Sequence, residues 1–96
     1  MVITGVPDLT NLSSVISIYP NPATNEITVG IHQPIDGNFS IYNVLGQEVY
    51  SERILSNNNN TIKQIQLSSE PSGVYFYKLT DLTSGFVSDG KFIIEK

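Results

Sequence analysis

Apolar side chains recur at every second residue along most of this chain, and turn-forming residues break the pattern about every ten positions. A period of two is that of a pleated strand, whose successive side chains point to opposite faces. The clearest stretch is residues 26–31, with Ile27, Val29 and Ile31 on one face and Thr28 and Gly30 on the other. Composition agrees: 27 of the 96 residues are Val, Ile or Thr, nine more are aromatic, and there is a single alanine. An all-β fold is expected.

The alternation reads as strands over residues 15–19, 26–31, 39–43, 47–54, 61–67, 74–80 and 86–95. Pro20-Asn21-Pro22 stops the first, since two prolines withdraw ladder donors and fix φ on either side of an asparagine. Asp36-Gly37-Asn38 reads as a tight turn, Val44-Leu45-Gly46 as a reversal with Gly46 at positive φ, and the four asparagines 57–60 as an exposed loop. Pro71 marks another turn, which ends at Gly73. The strand over 74–80 carries large apolar side chains on both faces and is expected in the middle of its sheet. Asp89-Gly90 is expected as a bulge that bends one continuous last strand. Seven short strands predict an antiparallel seven-stranded immunoglobulin-like β-sandwich, here without the Cys and Trp of antibody domains.

At 96 residues the chain has room for one two-layer core and none for a separate catalytic domain. Residues 1–14 keep no period and read as a linker, leaving 15–96 as the folded unit. They also lack the basic-then-apolar pattern of a secretory signal. Five bases against nine acids, with Arg53, Lys63, Lys78, Lys91 and Lys96 scattered singly, argue against nucleic acid as a partner. No apolar run reaches the ~20 residues of a transmembrane helix. Without cysteine there are no disulfides and no thiol chemistry, and one histidine, His32, cannot build a multi-histidine metal site.

Groups that could carry chemistry have simpler readings. Glu48 and Glu52 are not at a catalytic carboxylate spacing on a strand and read as solvated. Asp36-Gly37-Asn38 and residues 81–85 offer one carboxylate each where calcium takes six to eight oxygens. The serines have only His32 as a base and no nucleophile elbow. The glycosylation sequons at Asn11, Asn38 and Asn59 read as turn composition. Tyr19, Tyr42, Tyr50, Tyr75 and Tyr77 fit sheet packing first and a sugar-stacking platform second. No catalytic residue, metal or cofactor is expected.

The order of the blocks is more specific than any one of them. Ile18-Tyr19-Pro20-Asn21-Pro22 is followed by Ile41-Tyr42-Asn43-Val44-Leu45-Gly46-Gln47-Glu48-Val49, Ile65-Gln66-Leu67-Ser68, Gly73-Val74-Tyr75-Phe76-Tyr77-Lys78-Leu79 and Lys91-Phe92-Ile93-Ile94-Glu95-Lys96. From residue 15 to 96 this resembles the type A C-terminal sorting domain of the type IX secretion system of Bacteroidetes. The resemblance implies a non-enzymatic address on a larger exported protein, read by the outer-membrane translocon and its shuttle proteins. It further implies removal by a sortase-like peptidase and a cargo that ends secreted or on the cell surface, often joined to anionic lipopolysaccharide. The family motif falls on Tyr19, Pro20, Asn21, Pro22, Gly46, Gly73 and Tyr75, and its terminal strand on Lys91, Phe92, Ile93, Ile94 and Lys96. Glu70 departs from the apolar residue usual before the Pro-x-Gly turn.

The last strand is expected at a sheet edge with a free carboxylate and unpaired ladder groups, open to a receptor by strand addition. Cleavage is expected in the stretch before Tyr19. The alternative function is a carbohydrate-binding or adhesion sandwich, which needs a coplanar exposed row of tyrosines. An open edge also allows self-association as a homodimer.

Overall fold

The computed structural model describes residues 15–96, so the linker expected over 1–14 lies outside the described residues. Seven antiparallel strands follow one another: β1 (Ile16–Tyr19), β2 (Glu26–Ile31), β3 (Ile35–Tyr42), β4 (Glu48–Ser56), β5 (Thr61–Gln66), β6 (Gly73–Asp81) and β7 (Val87–Ile94). They form a three-stranded sheet, β1-β2-β5, and a four-stranded sheet, β4-β3-β6-β7. The expected sandwich is present, and β6 lies inside its sheet as predicted.

Alternation decides which side chains meet between the sheets. Ile27, Val29 and Ile31 of β2 and Ile65 of β5 face Phe39, Ile41, Leu79, Phe92 and Ile94 of the larger sheet, all essentially without solvent contact. The opposite face of β6 is not covered: Val74 and Phe76 are 37% and 43% exposed. Its apolar residues on that side therefore belong to surface, not to a second core.

Two local expectations are corrected. Asp36-Gly37-Asn38 is no turn but the interior of β3, paired with β4 on one side and, from Gly37, with β6 on the other. A Cβ on Gly37 would lie 2.5 Å from the Thr80 carbonyl oxygen, so the glycine answers a close neighbour on β6. Asp89-Gly90 makes no bulge either, since β6 and β7 keep one register from Gly73↔Ile94 to Thr80↔Val87. There a Cβ would lie 2.5 Å from the Tyr77 hydroxyl, and the missing side chain makes room for that ring.

The irregularity sits between Ile41 and Tyr42, where β4 carries an extra residue. Val49 and Tyr50 both turn against the core as a result. The sandwich closes along its β4–β5 side through Glu52, which accepts from Lys63 at 2.6 Å and from the Tyr50 hydroxyl. Lys63 and then Tyr50 hold the Glu52 carboxyl below its ordinary range. Burial, followed by Glu52, pushes the Tyr50 phenol up to about 12.

Candidate functional site

The segment between β1 and β2 crosses to the opposite sheet and lies along the end of β7. Both of its X–Pro bonds, Tyr19-Pro20 and Asn21-Pro22, are cis. Asn21 Oδ1 accepts the Ile93 N–H at 3.0 Å. The Ala23 N–H donates to the Ile93 carbonyl at 2.8 Å, and the Ala23 carbonyl accepts the Glu95 N–H at 2.7 Å. This is a short parallel bridge between Ala23 and Ile94, with Ala23 only 1% exposed. Tyr19, at the start of the segment, is 46% exposed.

Inside the sheet, Gly73 opens β6 opposite Ile94, and Tyr75 lies opposite Phe92, their rings stacked with centroids 5.8 Å apart. The Tyr75 hydroxyl donates to the Pro71 carbonyl at 2.7 Å, tying β6 to the turn before it. Burial, then Glu70, raises the Tyr75 phenol. The Glu70 corner closes despite its charge, its N–H donating to the Leu67 carbonyl at 3.0 Å. Lys96 closes the end: its N–H donates to Ser72 Oγ at 3.0 Å and its Nζ to the Ser68 carbonyl at 2.7 Å.

Gly46 belongs to the same end of the sandwich. Its φ is +83°, and Asn43 Oδ1 accepts the Leu45 and Gln47 N–H groups at 2.9 and 3.0 Å, so side chain and glycine together shape the reversal. Val44 and Leu45 project from it, 66% and 79% exposed. A hollow of about 230 Å³ separates them from Pro71, Gly73 and Val74.

Residues spread over most of the sequence thus converge on the end of β7: Asn21 and Ala23 cover it, Gly73 and Tyr75 pair with it, and the Gly46 turn stands beside its neighbour. Lys91 lies on the outer face opposite Phe76, with Ile93 on the same face opposite Val74; Phe92 and Ile94 point into the core. The expectation of an open ladder along all of β7 is corrected, because the outward groups of Ile93 and the Glu95 N–H are bonded within the chain. No sequence pattern announces the role of Ala23; only the pairing reveals it.

The other sequence candidates are separated or occupied. Tyr75 is buried, Tyr77 and Tyr50 pack against the core, and Tyr19 lies on the other sheet from Tyr42, so the five tyrosines make no single row. The β4 bulge sends Glu48 to the outer face opposite Tyr42 and Glu52 inward opposite Phe39. Asp36 is held by Arg53 through two hydrogen bonds of 3.0 Å, and Asp81 caps the Thr83 N–H at 2.9 Å. Among the described residues no three His, Cys, Asp or Glu cluster as a metal site.

One array was missed by sequence reading. Ser17 Oγ lies 2.6 Å from His32 Nε2, and His32 Nδ1 lies 3.3 Å from Asn60 Oδ1. With Asn60 accepting from Nδ1, Nε2 accepts the serine hydroxyl. Gly30 leaves room for the imidazole, whose Cε1 would stand 3.4 Å from a Cβ there. The array links β1 and the loop before β5 across the outer face of the small sheet, with His32 and Asn60 exposed.

The family described as Secretion system C-terminal sorting domain matches residues 17–95. Among solved structures, a DUF3244 family protein with an immunoglobulin-like β-sandwich fold from Bacteroides vulgatus superposes with a TM-score of 0.66. The two are 18% identical, and the match covers 84% of this chain and 85% of that one. At that identity the likeness concerns the fold. No curated protein matches the chain.

Proposed function

Since this chain belongs to the family of secretion system C-terminal sorting domains, and so carries an address for type IX export across the outer membrane, we propose that the end of β7 under its Asn21–Ala23 cover is what the export machinery reads. The module is linked to a cargo and meets the type IX machinery. The observation that supports the reading is the convergence of the motif blocks on one end of the sandwich, around Ile93 and Ile94. Exposed Lys91 and Ile93 supply the contact, while Tyr75, Phe92 and Ile94 hold the strand in place from behind. Pro20, Pro22, Gly46 and Gly73 shape the backbone around it.

In this reading the module is itself non-catalytic. Residues 1–14 are the linker, and a sortase-like peptidase of the export pathway cuts before Tyr19 and passes the cargo to the cell surface or its lipopolysaccharide. A scission ahead of Ile16 spares every strand from β1 to β7, whereas one between Ile16 and Tyr19 would open β1.

The test fuses the 96 residues to a periplasmic reporter in a bacterium that has this secretion route. Deleting residues 92–96 should trap the reporter in the periplasm. That deletion removes core residues, so a second variant with Lys91→Ala and Ile93→Ser alters only exposed side chains and should also block export. Normal export of this second, folded variant would remove β7 as the element that is read.

A further inference from the structure

The edge of β7 is closed at one end and open at the other. Asn21 and Ala23 occupy Ile93 and Glu95. By the alternation of an antiparallel ladder, the backbone groups pointing the same way further back are those of Val87, Asp89 and Lys91. No strand among the described residues pairs with them, since β7 ends the order β4-β3-β6-β7. A hollow of about 480 Å³ lies beside this edge on the outer face of the sheet, where Tyr42, Phe76, Lys78, Asp89 and Lys91 line it across β3, β6 and β7. An unpaired edge of this kind is a template for another strand.

Charge selects the occupant. Lysines alone would repel a second copy, but here Asp89 and Lys91 stand symmetrically about Gly90. Two antiparallel copies of β7 that meet at Gly90 place Asp89 of each opposite Lys91 of the other. Both are outward-facing positions that exchange ladder hydrogen bonds. Sliding by one pairing step puts Asp89 opposite Asp89, or Lys91 opposite Lys91, and the latter slide also drives Asp89 against the covered Ile93. One register is therefore singled out. At its centre Gly90 meets Gly90 without side chains, and the Tyr77 ring of each copy already fills the space where a Cβ would stand.

We infer that this chain binds a second copy of itself by antiparallel pairing of β7 with β7, centred on Gly90, which joins the two four-stranded sheets into one. Asp89 then lies between Lys78 of its own β6 and Lys91 across the dimer axis. The paired stretch ends at Phe92 and leaves Ile93 and Glu95 under the Asn21–Ala23 cover. Self-pairing and export are thus separable: a monomer that is still exported refutes only the first, and a dimer that is not read by the machinery refutes only the second.

Sedimentation velocity of the 96-residue chain over a concentration series tests the pairing. The expected result is a species of twice the chain mass at high concentration. Asp89→Lys and Lys91→Asp should each reduce it to the monomer, and the double exchange D89K/K91D should restore it. Amide exchange in the unmodified chain gives a second reading that does not depend on how the variants fold. Protection at Asp89 and Lys91 should grow with concentration by about tenfold or more as the edge becomes paired. A chain that stays monomeric at its solubility limit overturns the inference, as does a dimer indifferent to both single exchanges. Protection of these amides that is independent of concentration also overturns it, because another part of the same chain would then cover the edge.

Discussion

Gly37 and Gly90 show how far a residue's meaning depends on what lies across from it. Gly37 between Asp36 and Asn38, and Gly90 after Asp89, carry the local signature of a turn, yet both sit inside strands, at points where a backbone carbonyl or a phenol oxygen lies 2.5 Å from a would-be Cβ. The sequence holds the neighbours, Thr80 and Tyr77, but at separations that local patterning cannot connect. Gly46 was legible because its cause is local: a reversal that requires φ of +83°. Substituting Gly90 by Ala should be costly, because the added methyl meets a Tyr77 ring held in turn by Phe39, 6.1 Å away between centroids. Overpacking of this kind costs about 1–3 kcal/mol. Denaturant melts should show that loss for Gly90→Ala, and a cost much smaller than this would mean that Tyr77 moves freely.

β7 is edge strand and interior strand by turns. Its alternation was readable, and so was its place near an edge; its partial cover was not, because Ala23 is one small residue in a proline-bounded loop and the bonds it makes are main-chain. Asn21 contributes the single side-chain bond of that cover, 3.0 Å to the Ile93 N–H. Asn21→Ala should therefore destabilise the fold by about 0.5–1.5 kcal/mol, the usual net worth of one such bond. Its more specific signature is local: exchange at the Ile93 amide should accelerate more than at Phe92, whose N–H turns toward β6. Equal acceleration at both would show that the cover and the strand open as one unit. On the other side of the sandwich the Glu52–Lys63 pair joins β4 to β5, and with side chains about one-third exposed it ranks with surface ion pairs, worth about 0.2–1 kcal/mol.

At the scale of the whole molecule, the sandwich arises from inward alternation on seven strands, while the division into β1-β2-β5 and β4-β3-β6-β7 comes from pairings between distant segments. The convergence of the motif blocks likewise needs the folded chain, since Asn21 and Ile93 are 72 residues apart. Tyrosines carry this architecture into its dependence on pH. Tyr50 on β4 and Tyr75 and Tyr77 on β6 all have phenols raised above the ordinary value of 10.0, each chiefly by burial, with Glu52, Glu70 and Asp89 adding to it respectively. A raised phenol means that the folded state keeps its proton where the unfolded chain has begun to lose it. Such a group gives its full stabilisation below the unfolded value near 10, and that contribution is lost as pH rises through the folded value, about 12 for Tyr50. The denaturant midpoint should therefore hold up to about pH 10 and then fall steadily toward pH 12. Phenolate absorbance of the folded chain should show Tyr50, Tyr75 and Tyr77 ionising above the ordinary phenol range. Tyr50→Phe should flatten the decline without removing it, because Tyr75 and Tyr77 remain; a midpoint that is level from pH 8 to pH 12 in the unaltered chain would show that these phenols are not held between the sheets as the packing requires.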